Sequence, residues 1–319
     1  MKRNFIIGAI AALAMPVMAQ TTEPATVYFT REITPESLVK IYEALGVEAK
    51  GKVAIKISTG ESQKTGYLRP DFIKGLVDKV DGTIVECNTA YGGSRGDTET
   101  HLKTIKAHGF DRIAPVDIMD SEGEMELPMA DTTYFKQNLV GSHLANYDFM
   151  IDLSHFKGHQ MGGFGGALKN LSIGVASSEG KKRIHSAGSY PENPQAFAPK
   201  GGQDAFIESM AGAAESVHRY FKGKGDIVYI NVMNNMSIDC DCNGNPESPK
   251  LKDMGILAST DPVALDRACV DLVLNHDPKE GDDSRPLIAR MKKMHGEHII
   301  DHAAKIGMGT DKYKIVELK

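Results

Sequence analysis

Lys52-Val-Ala-Ile-Lys-Ile57, Pro70-Asp-Phe-Ile-Lys-Gly-Leu-Val-Asp-Lys-Val80 and Thr83-Ile-Val-Glu-Cys87 follow one another along the chain and read as strand, helix and strand. The first run alternates with the two-residue period of a strand. Pro70 stands where a first helical turn tolerates a missing N–H, and Phe72, Ile73, Leu76, Val77 and Val80 form an apolar stripe at helical spacing. The third run is short and apolar. A strand–helix–strand unit belongs to a parallel sheet covered by helices, so the fold class is α/β: a mainly parallel sheet flanked by helices, with two lobes and a crevice between them left open.

The same alternation continues outward in both directions. It begins at Thr26. Asp97 or Thr98 caps a helix that ends at Gly109, and Phe149 to Leu153 is a buried strand. Further on, Ala205 to Phe221 carries apolar residues at helical spacing, Ile227 to Val232 is a strand, Asp261-Pro262 opens a helix, and Asp311 to Leu318 ends as a strand. Ser58 to Gly66, His155 to Gly166 and Asn234 to Lys250 fit no regular element and are expected to be strand-end loops, where sites of open α/β sheets gather. Asp120 to Asp131, acidic and Pro-containing, is either a connection between lobes divided near 120–145 or a long hairpin.

Lys2 and Arg3, the apolar run from Phe5 to Met15 and the close on Val17-Met18-Ala19 are the parts of a signal peptide covering 1–19. Residues 25–319 then form the folded part, periplasmic or secreted. No later stretch approaches the roughly 18 continuous apolar residues of a membrane helix, so no membrane insertion of the mature chain is expected. A composition of 41% apolar and 25% charged residues is globular, and a net charge of -5 without a long basic run gives no footprint for nucleic acid. Four cysteines are too few for a disulfide scaffold, although an exported chain can form a bridge.

Most of the chemistry lies in Asp152-Leu-Ser-His155-Phe-Lys157-Gly-His159 and the glycine-rich stretch that leads to Lys169-Asn170. Gly162, Gly163, Gly165 and Gly166 would let backbone amides approach an anion or a developing oxyanion, and so bind a cofactor or ligand. Neither a P-loop nor a dinucleotide spacing is present. His185 in Lys181-Lys-Arg-Ile-His185 is an ordinary surface histidine when read alone. Cys240-Asp-Cys242 supplies half of a tetrahedral metal site or a disulfide, and both readings stand. Cys87 ends a strand and could join that metal site or pair with either cysteine, whereas Cys269 lies on an apolar stripe and belongs to the core. His295, His298 and His302 lack the H-E-x-x-H pattern and read as a solvated face; Arg95-Gly-Asp97 reads as a chance tripeptide.

Together these motifs resemble the bacterial and archaeal family called domain of unknown function 362, many members of which are labelled iron-sulfur proteins. The resemblance is carried by Glu86-Cys-Asn-Thr-Ala-Tyr91-Gly-Gly-Ser-Arg95, by Ser154-His-Phe-Lys-Gly-His159 through Lys169-Asn170, by Cys240-Asp-Cys242, and by Gly255-Ile-Leu-Ala-Ser-Thr-Asp261-Pro. Many relatives carry a ferredoxin-like segment, but here Ala187 to Gly202 bridges that gap without a cysteine, so an iron-sulfur cofactor does not transfer on that ground. A more distant likeness is to the nickel-pincer lactate racemases. Arg69-Pro70, His159, Lys169 and His185 fall at similar spacings. That likeness implies His159 as acid/base, Lys169 as the cofactor attachment point and His185 as a nickel ligand. The second catalytic histidine of those racemases would fall near Ser94, which cannot replace it, and this puts two-base racemisation in doubt.

Three functions follow as expectations. The first is a metal- or cofactor-dependent enzyme of redox or isomerase type on a small oxyacid, with Arg69 holding the carboxylate, His159 moving a proton and Lys169 in the same cleft. The second is a non-catalytic metal or iron-sulfur carrier that uses Cys240, Cys242 and Cys87. The third is a periplasmic ligand-binding protein. A small-molecule ligand is expected in the enzyme and binding readings, and a redox partner is an open option.

Overall fold

The computed structural model describes residues 23–62, 66–240 and 247–319. The signal segment 1–19 and Cys242 lie outside the described residues. The strands are β1 (Ala25–Thr30), β2 (Val53–Lys56), β3 (Thr83–Glu86), β4 (Val116–Ile118), β5 (Glu124–Pro128), β6 (Gln137–Gly141), β7 (Phe149–His155), β8 (Lys157–His159), β9 (Gly163–Gly165), β10 (Asp226–Met233), β11 (Gly255–Ser259) and β12 (Tyr313–Glu317). The helices are α1 (Pro35–Ala44), α2 (Pro70–Val80), α3 (Thr98–His108), α4 (Ala167–Ser172), α5 (Ser178–His185), α6 (Gln203–Lys224), α7 (Pro262–Leu274), α8 (Arg285–Lys293) and α9 (His298–Lys305).

Helix starts follow the expected caps. Asp97 accepts from the Thr100 amide ahead of α3, and Gly109 closes that helix at φ 87°, a left-handed conformation that favours glycine. Asp261 accepts from the amides of Val263 and Ala264, with Pro262 in the first turn of α7.

Eight strands form one sheet in the order β12-β1-β11-β10-β7-β2-β3-β4. Five neighbouring pairs are parallel, and the two antiparallel pairs both involve β11, which is the reversed strand. Strands from both sides of 120–145 share this sheet. Asp120 to Asp131 contains one arm of the antiparallel hairpin β5–β6, which stands outside it.

Helices cover both faces. On one face, Leu38, Ile41, Ile73, Leu76 and Ile105 of α1, α2 and α3 pack on Val53, Ile55, Ile151 and Ile230. On the other, Leu168, Leu171, Phe206, Met210, Val263 and Cys269 of α4, α6 and α7 pack on Ala54, Met150, Ile227 and Tyr229. Because side chains alternate along a strand, Lys56, Asp152, Ser154 and Asn231 share parity with the second set. They are buried polar residues on the α4 side, and they introduce the site.

One expected loop is ordered differently. Within His155 to Gly166, β8 and β9 pair antiparallel, Lys157 opposite Gly165 and His159 opposite Gly163. The glycines permit this tight return: a Cβ on Gly158 would lie 2.0 Å from the Ile238 carbonyl oxygen, and one on Gly163 2.7 Å from Gly296 Cα. Among the described residues, no helix is long and apolar enough to cross a membrane.

Candidate functional site

The chain leaves β2 toward β3 on one side of the sheet, while β7 leads to β10 on the other. The crevice beyond the carboxyl ends of β2 and β7 is therefore a topological switch point, the usual ligand position in such sheets. A cavity of about 330 Å³ lies there, walled by Lys56 and Ser58 at and after the end of β2, Glu86, Cys87, Tyr91 and Arg95 at and after the end of β3, Ser154, His155, Lys157 and His159 from β7 and β8, and Lys169, Asn170, Lys181 and His185 from α4 and α5.

Its floor is a buried ionic network. Lys56 Nζ lies 3.0 Å from Glu86 Oε2 and donates to Asn170 Oδ1 at 3.0 Å and to the Ile57 carbonyl. Glu86 Oε1 accepts from the Thr59 amide at 2.8 Å and from Arg95 Nη1 at 3.3 Å. Burial alone would raise the Glu86 carboxyl, but the Lys56 ammonium and the Arg95 guanidinium hold it down to about 2. Arg95 Nε also donates to Glu61 at 3.0 Å, and Glu61 takes the Ser94 amide and hydroxyl at 2.9 and 2.7 Å. Ser94 is thus committed to Glu61.

Asn170 reaches from α4 to Asp152, whose Oδ1 also accepts from Ser154 Oγ at 3.0 Å, while its Oδ2 is buried without a hydrogen bond. Burial pushes the Asp152 carboxyl up to about 8. Helix α4 is fixed by Asp266, which accepts from the amides of Ala167 at 2.9 Å and Leu168 at 3.0 Å. Gly166 makes room for this: a Cβ there would lie 2.4 Å from Asp266 Oδ1. Gly174 does the same for Lys56, since a Cβ would lie 2.7 Å from Lys56 Cε and 2.2 Å from the Asn170 carbonyl oxygen.

His159 and His185 have defined tautomers. His159 Nδ1 accepts from the amides of Met161 at 3.2 Å and Gly162 at 2.8 Å, which puts the proton of the neutral ring on Nε2. Burial, with Lys169 and His185 adding positive charge nearby, holds its pKa well below the ordinary histidine value. His185 Nδ1 faces the Lys181 carbonyl at 2.7 Å and so donates to it, which leaves a lone pair on Nε2. Burial pushes His185 down to about 4, and its ring stacks on Phe206 with centroids 5.1 Å apart. Lys181 Nζ donates to the Ala176 carbonyl at 2.6 Å, and burial lowers its pKa. His155 spans the roof, with Nδ1 2.8 Å from the Gly66 oxygen and Nε2 2.6 Å from the Asn234 oxygen.

Of the residues singled out in the sequence, His159, Lys169, His185, Gly165, Gly166, Cys87 and Cys240 line one cavity. Arg69 does not. It caps α2, is exposed, and lays its guanidinium 4.4 Å from the Tyr67 ring centroid. The glycine stretch also differs from an amide cradle: the Gly162 amide goes to His159, Gly163 sits in β9, and the amides after Gly166 go to Asp266. Cys87 is a free thiol that donates to the Val175 carbonyl at 3.3 Å, and burial pushes it up to about 12. It therefore pairs with neither other cysteine. Cys240 is buried and held in a disulfide. Cys269 is a buried free thiol in the core.

Sequence reading passed over Lys56, Lys181 and Arg95 as site residues. A lysine and a glutamate ending the apolar strands Val53–Lys56 and Thr83–Glu86 were the available signal, because such groups are buried only when paired. Arg95 is no chance tripeptide member but a buried partner of two carboxylates. The solvated histidine face holds for His295, which is exposed beside Asp204 at 2.6 Å, and is corrected for His302, which is buried.

No curated protein matches the chain by sequence. Among solved structures it is similar to the lactate racemase apoprotein of Thermoanaerobacterium thermosaccharolyticum, at 14% identity and a TM-score of 0.44, over 77% of this chain and 56% of that one. It is also similar to a protein from Thermotoga maritima, at 14% identity and a TM-score of 0.47, over 76% of this chain and 58% of that one. The chain thus spans less than two thirds of the length of either. The family model described as domain of unknown function (DUF362) matches residues 53–271, well over half of the chain, and the chain belongs to that family.

Proposed function

We propose that the chain is an exported enzyme acting on a small oxyacid anion in the cavity beyond β2, β3 and β7, by redox or isomerase-type chemistry that uses a bound metal or cofactor. The observation that carries this is the charge of the wall. Among the described lining residues Lys56, Lys157, Lys169, Lys181 and Arg95 are the basic side chains and Glu86 is the one carboxylate, with Glu61 behind Arg95 as a second. Such a wall, in surroundings of low dielectric, concentrates an anion.

His159 supports proton and charge handling at a substrate oxygen. Its Nδ1 is occupied by two amides, so the ring offers Nε2–H as a donor, suited to stabilising negative charge as it develops. The role of His185 as a metal ligand, implied by the resemblance to nickel-pincer racemases, is supported by its hydrogen bond to Lys181. A ligating histidine is commonly oriented by donating its other N–H to a carbonyl. A metal held there would supply a Lewis-acid centre for the substrate oxygen. Lys169 lines the same cavity and is proposed as the cofactor attachment point. The carrier reading has less support, since Cys240 is in a disulfide and Cys87 holds its proton.

Elemental analysis and intact mass of protein purified from its native compartment, then titration with small 2-hydroxy and 2-oxo acids, test the proposal. Binding that weakens with added salt and on Lys157→Ala, with turnover of one acid, is expected. No binding by any acid at low salt, in protein that keeps its native metal content, overturns it.

A further inference from the structure

Apart from the cavity lining, a second group of ligating side chains converges from α6 and α9. We propose that Glu208, His298 and His302 bind one divalent transition-metal ion of the zinc class, with Asp131 orienting His302. One ligand atom from each of the three residues lies within 4.8 Å of the others. His298 and His302 stand one helical turn apart on α9 and so share a face, and Glu208 projects from α6 toward them.

The separations suit a small ion. Glu208 Oε1 lies 3.0 Å from His298 Nε2 and 3.5 Å from His302 Nδ1. A tetrahedral site with bonds of about 2.0–2.1 Å has edges of about 3.3 Å. Two imidazole nitrogens and one carboxylate oxygen select zinc, cobalt or nickel over calcium or magnesium, which prefer all-oxygen surroundings.

The supporting shell is already in place. His302 Nε2 lies 2.9 Å from Asp131 Oδ2, so donation to that carboxylate leaves the Nδ1 lone pair facing Glu208. Asp131 is steadied by the Thr133 amide at 3.0 Å, and Tyr134 Oη donates to Glu208 Oε2 at 2.6 Å, which leaves Oε1 for the metal. A carboxylate–histidine–metal relay of this form sets ring orientation in metal sites. Glu208 and His298 are half-buried and His302 is buried, so an ion can reach the cluster from solvent through the first two.

Calorimetric titration of the full chain, stripped with chelator, against Zn²⁺ tests the site. His298→Ala and Glu208→Gln are expected to abolish one binding event, and Asp131→Asn to weaken it by about 10-fold or more. His185→Ala in the cavity is expected to leave it intact. Co²⁺ bound to the His185→Ala protein is expected to show the intense visible absorption of a low-coordinate histidine site, a reading that needs no variant in the cluster. Unchanged zinc affinity in folded His298→Ala and Glu208→Gln proteins, loss of the event on His185→Ala, or only the weak absorption of hydrated Co²⁺ overturns the proposal.

Discussion

The amide of Gly162 donates to Nδ1 of His159 across 2.8 Å, within a hairpin whose return is only possible because residue 163 is glycine. The ring is thereby set as a neutral Nε2–H donor. His159→Gln, which can present an N–H near the Nε2 position, is expected to keep ligand binding within about 2-fold, whereas His159→Ala loses about 1–2 kcal/mol, about 5- to 30-fold. Nitrogen NMR should show the Nε2–H tautomer, with no titration of this ring near the ordinary histidine value of about 6.5.

The Lys56–Glu86 pair links acid stability to the site. Glu86 has a folded pKa of about 2, below its ordinary value, so its contribution is present above about pH 4.5 and is lost as pH falls toward about 2. Lys56→Met leaves a buried carboxylate without its ammonium and is expected to cost about 3–5 kcal/mol at neutral pH. Urea unfolding across a pH series checks both statements.

Asp152 acts in the opposite sense. Its folded pKa of about 8 lies above the ordinary value, so its contribution is complete below about pH 4 and is lost as pH rises toward about 8. Asp152→Asn mimics the protonated carboxyl. It is expected to match the wild type near pH 4 and to exceed it by a few kcal/mol, order of magnitude, near pH 8. Equal stabilities at both pH values would contradict this.

The α/β class, the helix starts at Pro70, Asp97 and Pro262, and the placement of His159 and Lys169 in one cavity were legible in the sequence, whereas His185, a surface histidine by its local pattern, was singled out only by resemblance. Each legible feature depends on local pattern: periodicity, capping, or a cluster in one strand-end loop. Lys56, Arg95 and Lys181 were not, because their meaning arises from partners distant in the chain, such as Glu86 for Lys56 and Glu61 for Arg95. Arg69 misled for a related reason. Its position beside Pro70 is a local fact, but its guanidinium lies over the Tyr67 ring and outside the cavity lining.

Thiol counting tests the cysteines. With Cys87 and Cys269 free and Cys240 in a disulfide, the denatured protein is expected to show two reactive thiols without reductant and four with it. Four without reductant would return Cys240 to the pool of metal ligands.

Export predicts a mature N-terminus at Gln20. A basic start, an apolar run and small Ala19 precede it in the order that signal cleavage requires. Terminal sequencing of protein from the cell envelope checks this, and an intact Met1 there would refute it.

Gly174 and Lys56 are far apart in the chain yet compete for one volume, since a methyl group at 174 would occupy the space of the Lys56 side chain. The same methyl group would also meet the Asn170 carbonyl oxygen at 2.2 Å, so the bare backbone at 174 keeps both the α4 turn and the lysine in place, and with them the counter-charge of Glu86. The charge of the cavity thus rests on a residue that carries no side chain at all.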